Sequence, residues 1–395
     1  MRRTRTAVAV LISATLLLAG CGHPAPAAKP TPTFGPALPG DFGGSGPGTL
    51  VSANTLSNLD PVLREKTALA ARIVYTSTSG VGDTGVNVSG TVLVPKGTAP
   101  QGGWPILAVG HPNTGSETEC APSWSPTLRG LAPTAETFVD AGYVVAVPDY
   151  QGLGLEGSPH PFLDSTTAGY NVMDAVRATE KLVPGTSGRW AGYGTGQGGQ
   201  AVWAADELAA DYGLGGQLVG VVAVAPTAAI EGLADSAAAG SLTKDQMLTL
   251  HQYLSALANQ YNDFHIDDYR HGVVKADWDA LSGCTGGSSA ERTKVISEMT
   301  PDDLRPATTD AADALRAYLK KTSLPQGPIA APMLVVPDGP DALIPQAWTD
   351  RALARACGIG DTVMFGTRAQ ADPAQALGWL ADRFNSVAAQ NECPQ

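Results

Sequence analysis

Six short, almost wholly apolar runs recur along this 395-residue chain, and their order constrains the fold more than any other feature. They read "WPILAVGHP", "GYVVAVPDY", "GRWAGYGTG", "QLVGVVAVAP", "PMLVVPDGP" and "DTVMFGT". Helical patterns separate them, including "AETFVDAG", "TAGYNVMDAVRATEKL", "GGQAVWAADELAADYG" and "ALGWLADRFNSVAAQ". Runs that are apolar throughout suit strands buried on both faces. Alternated with helices, they build an α/β fold with a mostly parallel sheet covered on both sides. Upstream, "RIVYTST" and "GVNVSGTVLVPKG" are joined by a Gly-rich turn and predict an antiparallel pair that opens the sheet. Between the fourth and fifth runs, at about residues 230–328, only helical stretches such as "TKDQMLTLHQYLSALANQYND" and "TDAADALRAYLKK" occur. An insertion of that kind predicts a helical cap over the strand ends, where ligands bind in such sheets.

Hydrophobic residues make up 43% of the chain, enough for a globular core, and the formal net charge is −12. So acidic a surface argues against nucleic acid as a partner and gives no pull toward anionic lipid. Residues 1–20, "MRRTRTAVAVLISATLLLAG", join three arginines to an apolar run of secretory-signal length, which predicts export. The run ends in Leu18, Ala19, Gly20 and Cys21, which resemble a bacterial lipobox. Cys21 is therefore expected to carry a lipid that holds the protein on the outer face of the bacterial cell membrane or in the cell envelope. Residues 21–48 are so rich in Pro, Gly and Ala that they read as a tether, and the folded domain is expected over residues 49–395.

Four cysteines remain, Cys120, Cys284, Cys357 and Cys393, an even number that suits disulfides in an exported chain and by spacing allows three pairings. None forms a CxxC or groups with histidine, so the sequence calls for no metal, and no cofactor motif is present.

Chemistry is concentrated in "GYGTGQGGQAVWAA", residues 192–205. A strand leads into it, a helix leads out, and Gly194, Gly196 and Gly198 are spaced as in the G-x-S-x-G nucleophile elbow. Gly196 stands at the apex, where that motif has its serine. A glycine-rich phosphate loop is the competing reading, but the Lys-Ser/Thr of a P-loop is missing.

Three further segments join this one: "GHPNTGSETECAPSW", "VPDYQGLG" with "HPFLDSTTAGYNVMDAVRA", and "WLADRF" near the end. Together they resemble the secretory lipase family of α/β-hydrolases, extracellular triacylglycerol lipases and esterases with a helical cap. The resemblance runs from about residue 50 to the end. It implies disulfides Cys120–Cys284 and Cys357–Cys393. It also implies an oxyanion hollow formed by the backbone N–H of Gln197 and an N–H near Asn113.

Members of the family use Ser, Asp and His in that chain order. Asp341, in "LVVPDGPDALIPQAWTD", matches the acid. No histidine matches the base, because His23, His111, His160, His251, His265 and His271 all precede Asp341. Where the base belongs the chain reads "FGTRAQADPAQALGWL", as though its loop had been trimmed. Thr195 lies one residue off the apex, and Ser123 matches a structural position, so neither replaces the nucleophile. His111 and His160 read as hydrogen-bonded loop residues. The leading expectation is a lipid-anchored, catalytically degraded homologue that binds an acyl or ester molecule or a protein partner. The alternative is an active lipase or carboxylesterase with a rearranged site.

Overall fold

The computed structural model describes residues 32–212, 215–339 and 343–394. The expected signal peptide, Cys21 with residues 22–31 of the tether, and Asp341 lie outside the described residues.

The chain opens with β1 (Leu50–Thr55), α1 (Pro61–Lys66), β2 (Thr67–Ser79) and β3 (Thr84–Pro95). The alternating part follows as β4 (Trp104–Gly110), α2 (Ala132–Asp140), β5 (Val144–Pro148), α3 (Ser165–Leu182), β6 (Thr186–Thr195), α4 (Gln197–Tyr212) and β7 (Gln217–Val224). Five helices then intervene: α5 (Gly232–Ala239), α6 (Lys244–Gln260), α7 (Gly272–Ala276), α8 (Ala290–Glu298) and α9 (Thr309–Thr322). The chain returns to the sheet through β8 (Met333–Val336), α10 (Gln346–Gly358), β9 (Val363–Phe365) and α11 (Pro373–Phe384).

All nine strands join one sheet in the order β1-β2-β3-β5-β4-β6-β7-β8-β9. The pairs β1–β2, β2–β3 and β3–β5 are antiparallel, and every pair from β5 to β9 is parallel. β4 shows why its run is continuous in apolar residues. Ile106 and Ala108 pack toward α3 and α4, with Val172, Val176 and Trp203. Leu107 and Val109 point the other way, toward Phe138 of α2 and Leu380 of α11. Side chains alternate across a strand, so a strand covered on both faces needs an apolar residue at every position.

The packed chain begins earlier than expected. Gly35 N–H donates to the Thr55 carbonyl at 2.9 Å, Thr55 N–H to Pro36 at 2.9 Å and Leu38 N–H to Ala53 at 2.9 Å, so this segment lines the outer edge of β1. Gly48 N–H reaches Thr76 O at 2.7 Å, and the Arg72 guanidinium sits 4.4 Å over the Phe34 ring. The boundary expected at residue 49 therefore moves to about Thr33. The edge strand offers this Pro- and Gly-rich segment unpaired backbone groups, and Phe34 and Leu38 add apolar contacts to the core.

Disulfides join Cys120 to Cys284 and Cys357 to Cys393. The first ties the loop after β4 to the helical insertion. There an isolated β-bridge pairs Gly115 with Cys284, and Thr285 N–H donates to Thr114 O at 2.9 Å.

Candidate functional site

At the end of β6 the backbone turns through Gly196, whose φ of +57° lies in the left-handed region, and α4 begins at the next residue. Close packing of backbone explains the glycines on either side. A Cβ on Gly194 would lie 2.1 Å from the Gly198 carbonyl oxygen, and one on Gly198 would lie 2.1 Å from the Gly110 carbonyl oxygen. At Gly196 the only heavy atom of the described residues near such a Cβ is Pro112 Cβ, at 3.9 Å. The flanks are sterically closed, whereas the apex has room for a side chain. The turn is also held from below. Gly196 N–H donates to Val224 O at 2.9 Å, and Gly196 O accepts from Gln200 N–H at 3.1 Å and Thr227 N–H at 3.2 Å.

Gln197 occupies the first position of α4, where a helix leaves its N–H groups without internal acceptors and its dipole favours negative charge. Its buried side chain meets His160, with Nε2 atoms 3.2 Å apart. His160 Nδ1 lies 2.7 Å from Gln151 O. A carbonyl only accepts, so Nδ1 carries the ring proton and Nε2 accepts from the Gln197 amide. Burial is the main cause that drives the His160 pKa down to about 4, so the ring is neutral at pH 7. The lone pair a general base would use is already committed to Gln197. The Gln197 Oε1 atom, in turn, is buried without a partner.

His111 is fully buried on the loop after β4, with Nδ1 2.7 Å from Pro112 O and Nε2 3.2 Å from Asp149 O. Burial lowers its pKa, and its ring lies 4.2 Å from that of Tyr150. Both nitrogens therefore face backbone rather than the turn. Asn113 faces the insertion: its Nδ2 donates to Gln252 Oε1 of α6 at 2.6 Å, and its Oδ1 accepts from Gly115 N–H at 2.9 Å.

Ser123 belongs to a buried polar cluster. Asp149 accepts from Ser89 Oγ at 2.6 Å, from Ser123 N–H at 2.9 Å and from Ser123 Oγ at 2.6 Å. Arg72 donates to Ser123 Oγ at 3.3 Å and to Gly154 O at 2.7 Å. The Ser123 hydroxyl is thus spent on structure. Thr195 pairs with Val224 in the sheet ladder, so its side chain projects from the sheet and not from the turn.

Beyond β9 the connection is brief. Thr367 and Gln370 form a capping box around the single turn Arg368–Ala371, and Asp372 caps α11 by accepting from Ala374 N–H at 2.8 Å. No histidine lies on this connection. After β8, Asp338 Oδ1 accepts from Gly339 N–H at 2.7 Å.

A cleft of about 370 Å³ opens between the loops after β4 and β5 and the insertion. Glu117, Thr118, His160, Asn259, Trp278 and Asp279 are among the residues that line it. The site residues that sequence reading passed over are Arg72, Ser89 and Gln252. Arg72 left a signal, a lone cation inside an apolar strand run, whereas Ser89 and Gln252 left none.

The family model described as secretory lipase matches residues 134–392. Among solved structures, Candida antarctica lipase A in its closed state superposes with a TM-score of 0.69 at 16% identity, over 90% of this chain and 86% of that one. The rice cell wall degrading esterase of Xanthomonas oryzae gives a TM-score of 0.66 at 20% identity, over 87% and 97%. A putative hydrolase from Legionella pneumophila gives 0.65 at 18%, over 85% and 96%. Likeness at such identities speaks to the fold alone. No curated protein sequence matches the chain.

Proposed function

The chain belongs to the secretory lipase family, and from that premise we propose that it is a non-hydrolysing member that holds an acyl, ester or carboxylate ligand at the elbow. One observation carries this reading: the apex keeps the left-handed backbone and the free space of a nucleophile position, yet its residue is Gly196. A glycine has no side chain with which to form an acyl intermediate. With Asp341 matching the acid and no histidine beyond His271, the base is missing as well. His160, the histidine nearest the elbow by hydrogen bonding, already spends its free nitrogen on Gln197. The electrostatic half of the machinery is retained. The N–H of Gln197 at the start of α4 and an N–H near Asn113 supply donors that suit a carbonyl, a carboxylate or a phosphate.

Membership of a secretory family and two disulfides indicate an exported protein. Anchoring through a lipid on Cys21 extends that reading. A Cys21→Ala variant should leave the membrane fraction or fail to mature, and retention in the detergent phase at unchanged mass would count against the anchor.

Ligand binding is tested by native mass spectrometry of protein purified from its own host, followed by lipid extraction. An acyl-bearing adduct that is lost in a Gly196→Trp variant supports the reading. Protein that emerges unliganded, and takes up neither fatty acid nor fatty ester at millimolar concentration, refutes it. In parallel, a fluorophosphonate probe should leave the wild-type protein unlabelled.

A further inference from the structure

Between α9 and β8 the insertion returns to the sheet through residues 326–331, "QGPIAA". This strap is held in an unusual way. Pro328 has no N–H, and each of the five N–H groups the strap does have is accepted by a carboxylate. Glu207 Oε2 takes Gln326 N–H at 2.8 Å and Gly327 N–H at 3.2 Å. Asp361 Oδ1 takes Ile329 N–H at 3.0 Å. Asp206 Oδ1 takes Ala330 N–H at 3.0 Å and Ala331 N–H at 2.8 Å. Asp206 and Glu207 belong to α4, whose first turn forms the elbow, and Asp361 lies in the turn between α10 and β9.

The second oxygen of each carboxyl group, Asp206 Oδ2, Glu207 Oε1 and Asp361 Oδ2, is buried without a hydrogen-bond partner. Among the described residues none of the three forms an ion pair. The groups that act on them are one another, the strap N–H groups and the Trp203 indole. From α9, the carbonyls of Lys320 and Lys321 face the strap and take the Gln326 side-chain amide. The three carboxyl groups do not converge as metal ligands would.

A second latch on the insertion is built differently. Glu231 at the insertion's entry bonds Arg355 at 2.7 Å and accepts from Ser323 Oγ at 2.6 Å. That latch contains a cation, and the Glu231 pKa is lowered.

We propose that the strap and its three carboxyl groups form a proton-dependent clasp on the returning end of the cap, which holds while protonated and releases protons as the strap lifts. Buried carboxylates without a cation repel one another and lose solvation, and a proton on each unpartnered oxygen relieves both costs while the other oxygen still accepts from the strap. Burial is the main cause that raises Asp206 well above 3.8, Glu207 to about 7, and Asp361 above 3.8. Folded values above the unfolded ones mean that the closed clasp binds more protons than the open one. Its stabilisation is complete below about pH 4, the unfolded carboxyl value, and is lost as pH rises through the folded values toward 7. The Glu231 latch does not weaken over that range, so opening is confined to the returning end.

The test is hydrogen exchange of the full chain from pH 5 to pH 8. The amides of Gln326, Gly327, Ile329, Ala330 and Ala331 are read against those of β4, which cancels the intrinsic pH effect. The relative protection of the strap should fall by about tenfold per pH unit for each proton released on opening. Asp206→Asn and Glu207→Gln, which mimic the protonated groups, should each flatten that slope and raise protection at pH 8. Equal protection of strap and β4 across the range in the wild-type chain overturns the clasp, as does an unchanged slope in a folded Asp206→Asn/Glu207→Gln protein. The wild-type profile decides the matter even where a variant fails to fold.

Discussion

The loops that leave β4 and β5 and the turns that leave β6 and β9 meet at one end of the sheet, yet they are built to different standards. On the first side a buried cluster is tied together: Asp149 to Ser89 and Ser123, Arg72 to Ser123 and Gly154, Asn113 to Gln252, and Cys120 to Cys284. On the second side the apex is a glycine facing open space, and the loop after β9 is one turn that bonds chiefly to itself. The first side shapes the site, whereas the second supplies nucleophile and base in an active serine hydrolase. The contrast teaches that the frame is part of the fold, so that on the proposed reading it persists where the reactive groups do not.

The largest expected effect breaks the committed side. Replacing Cys120 and Cys284 together by Ser opens a loop whose ends are 164 residues apart. In the chain-entropy model that costs about 5 kcal/mol, to be read from the urea midpoint. Asp149→Ala comes next. It leaves the Ser123 N–H and hydroxyl buried without an acceptor, and Ser89 Oγ with only the Leu153 carbonyl at 3.4 Å, at about 1–3 kcal/mol for each unsatisfied group and about 4 kcal/mol in all. Removing Ser123 as well should recover part of that loss.

A smaller pair of effects compares positions within the elbow. Gly198→Ala forces a Cβ against the Gly110 carbonyl and should cost about 3 kcal/mol, in the overpacking range. Gly196→Ala meets only Pro112 Cβ at 3.9 Å among the described residues and should cost only about 1–2 kcal/mol, for the left-handed backbone. Equal losses at the two positions would show that the apex is not the open position.

The last contrast is silent at pH 7. The His160 pKa is depressed to about 4 by burial, so the folded ring stays neutral while the unfolded ring takes a proton below about 6.5. Its contribution is complete above that value and is lost as pH falls from about 6.5 toward 4, the reverse of the carboxyl clasp. His160→Gln should flatten the acid side of a stability profile measured by urea unfolding from pH 4.5 to pH 7.

The sheet was legible in the sequence because its central strands are buried on both faces, so "WPILAVGHP" and "QLVGVVAVAP" declare themselves without periodicity. The elbow was legible because close backbone packing at Gly194 and Gly198 tolerates no Cβ, which leaves glycine spacing as a signature. The docking of residues 33–48 was hidden, since it rests largely on main-chain hydrogen bonds, which leave no side-chain pattern, and on only two apolar residues, Phe34 and Leu38. So was the link between His160 and Gln197, which depends on how the loop after β5 folds back over α4. The strap clasp was hidden too: Asp206 and Glu207 read as ordinary charges on a helix until their acceptor role appears in three dimensions.

Hydrolysis of p-nitrophenyl esters tests the central claim most directly, measured side by side for the wild-type protein, Gly196→Val and Gly196→Ser. In a serine hydrolase, loss of the serine or the histidine alone costs nearly as much as loss of the whole triad, roughly a factor of a million, so restoring one member restores little. The account predicts that wild type and Gly196→Val are indistinguishable and that Gly196→Ser gains little without a histidine on the loop after β9. Wild-type turnover of about 1 per second that survives Gly196→Val, or Gly196→Ser alone reaching that rate, would contradict it.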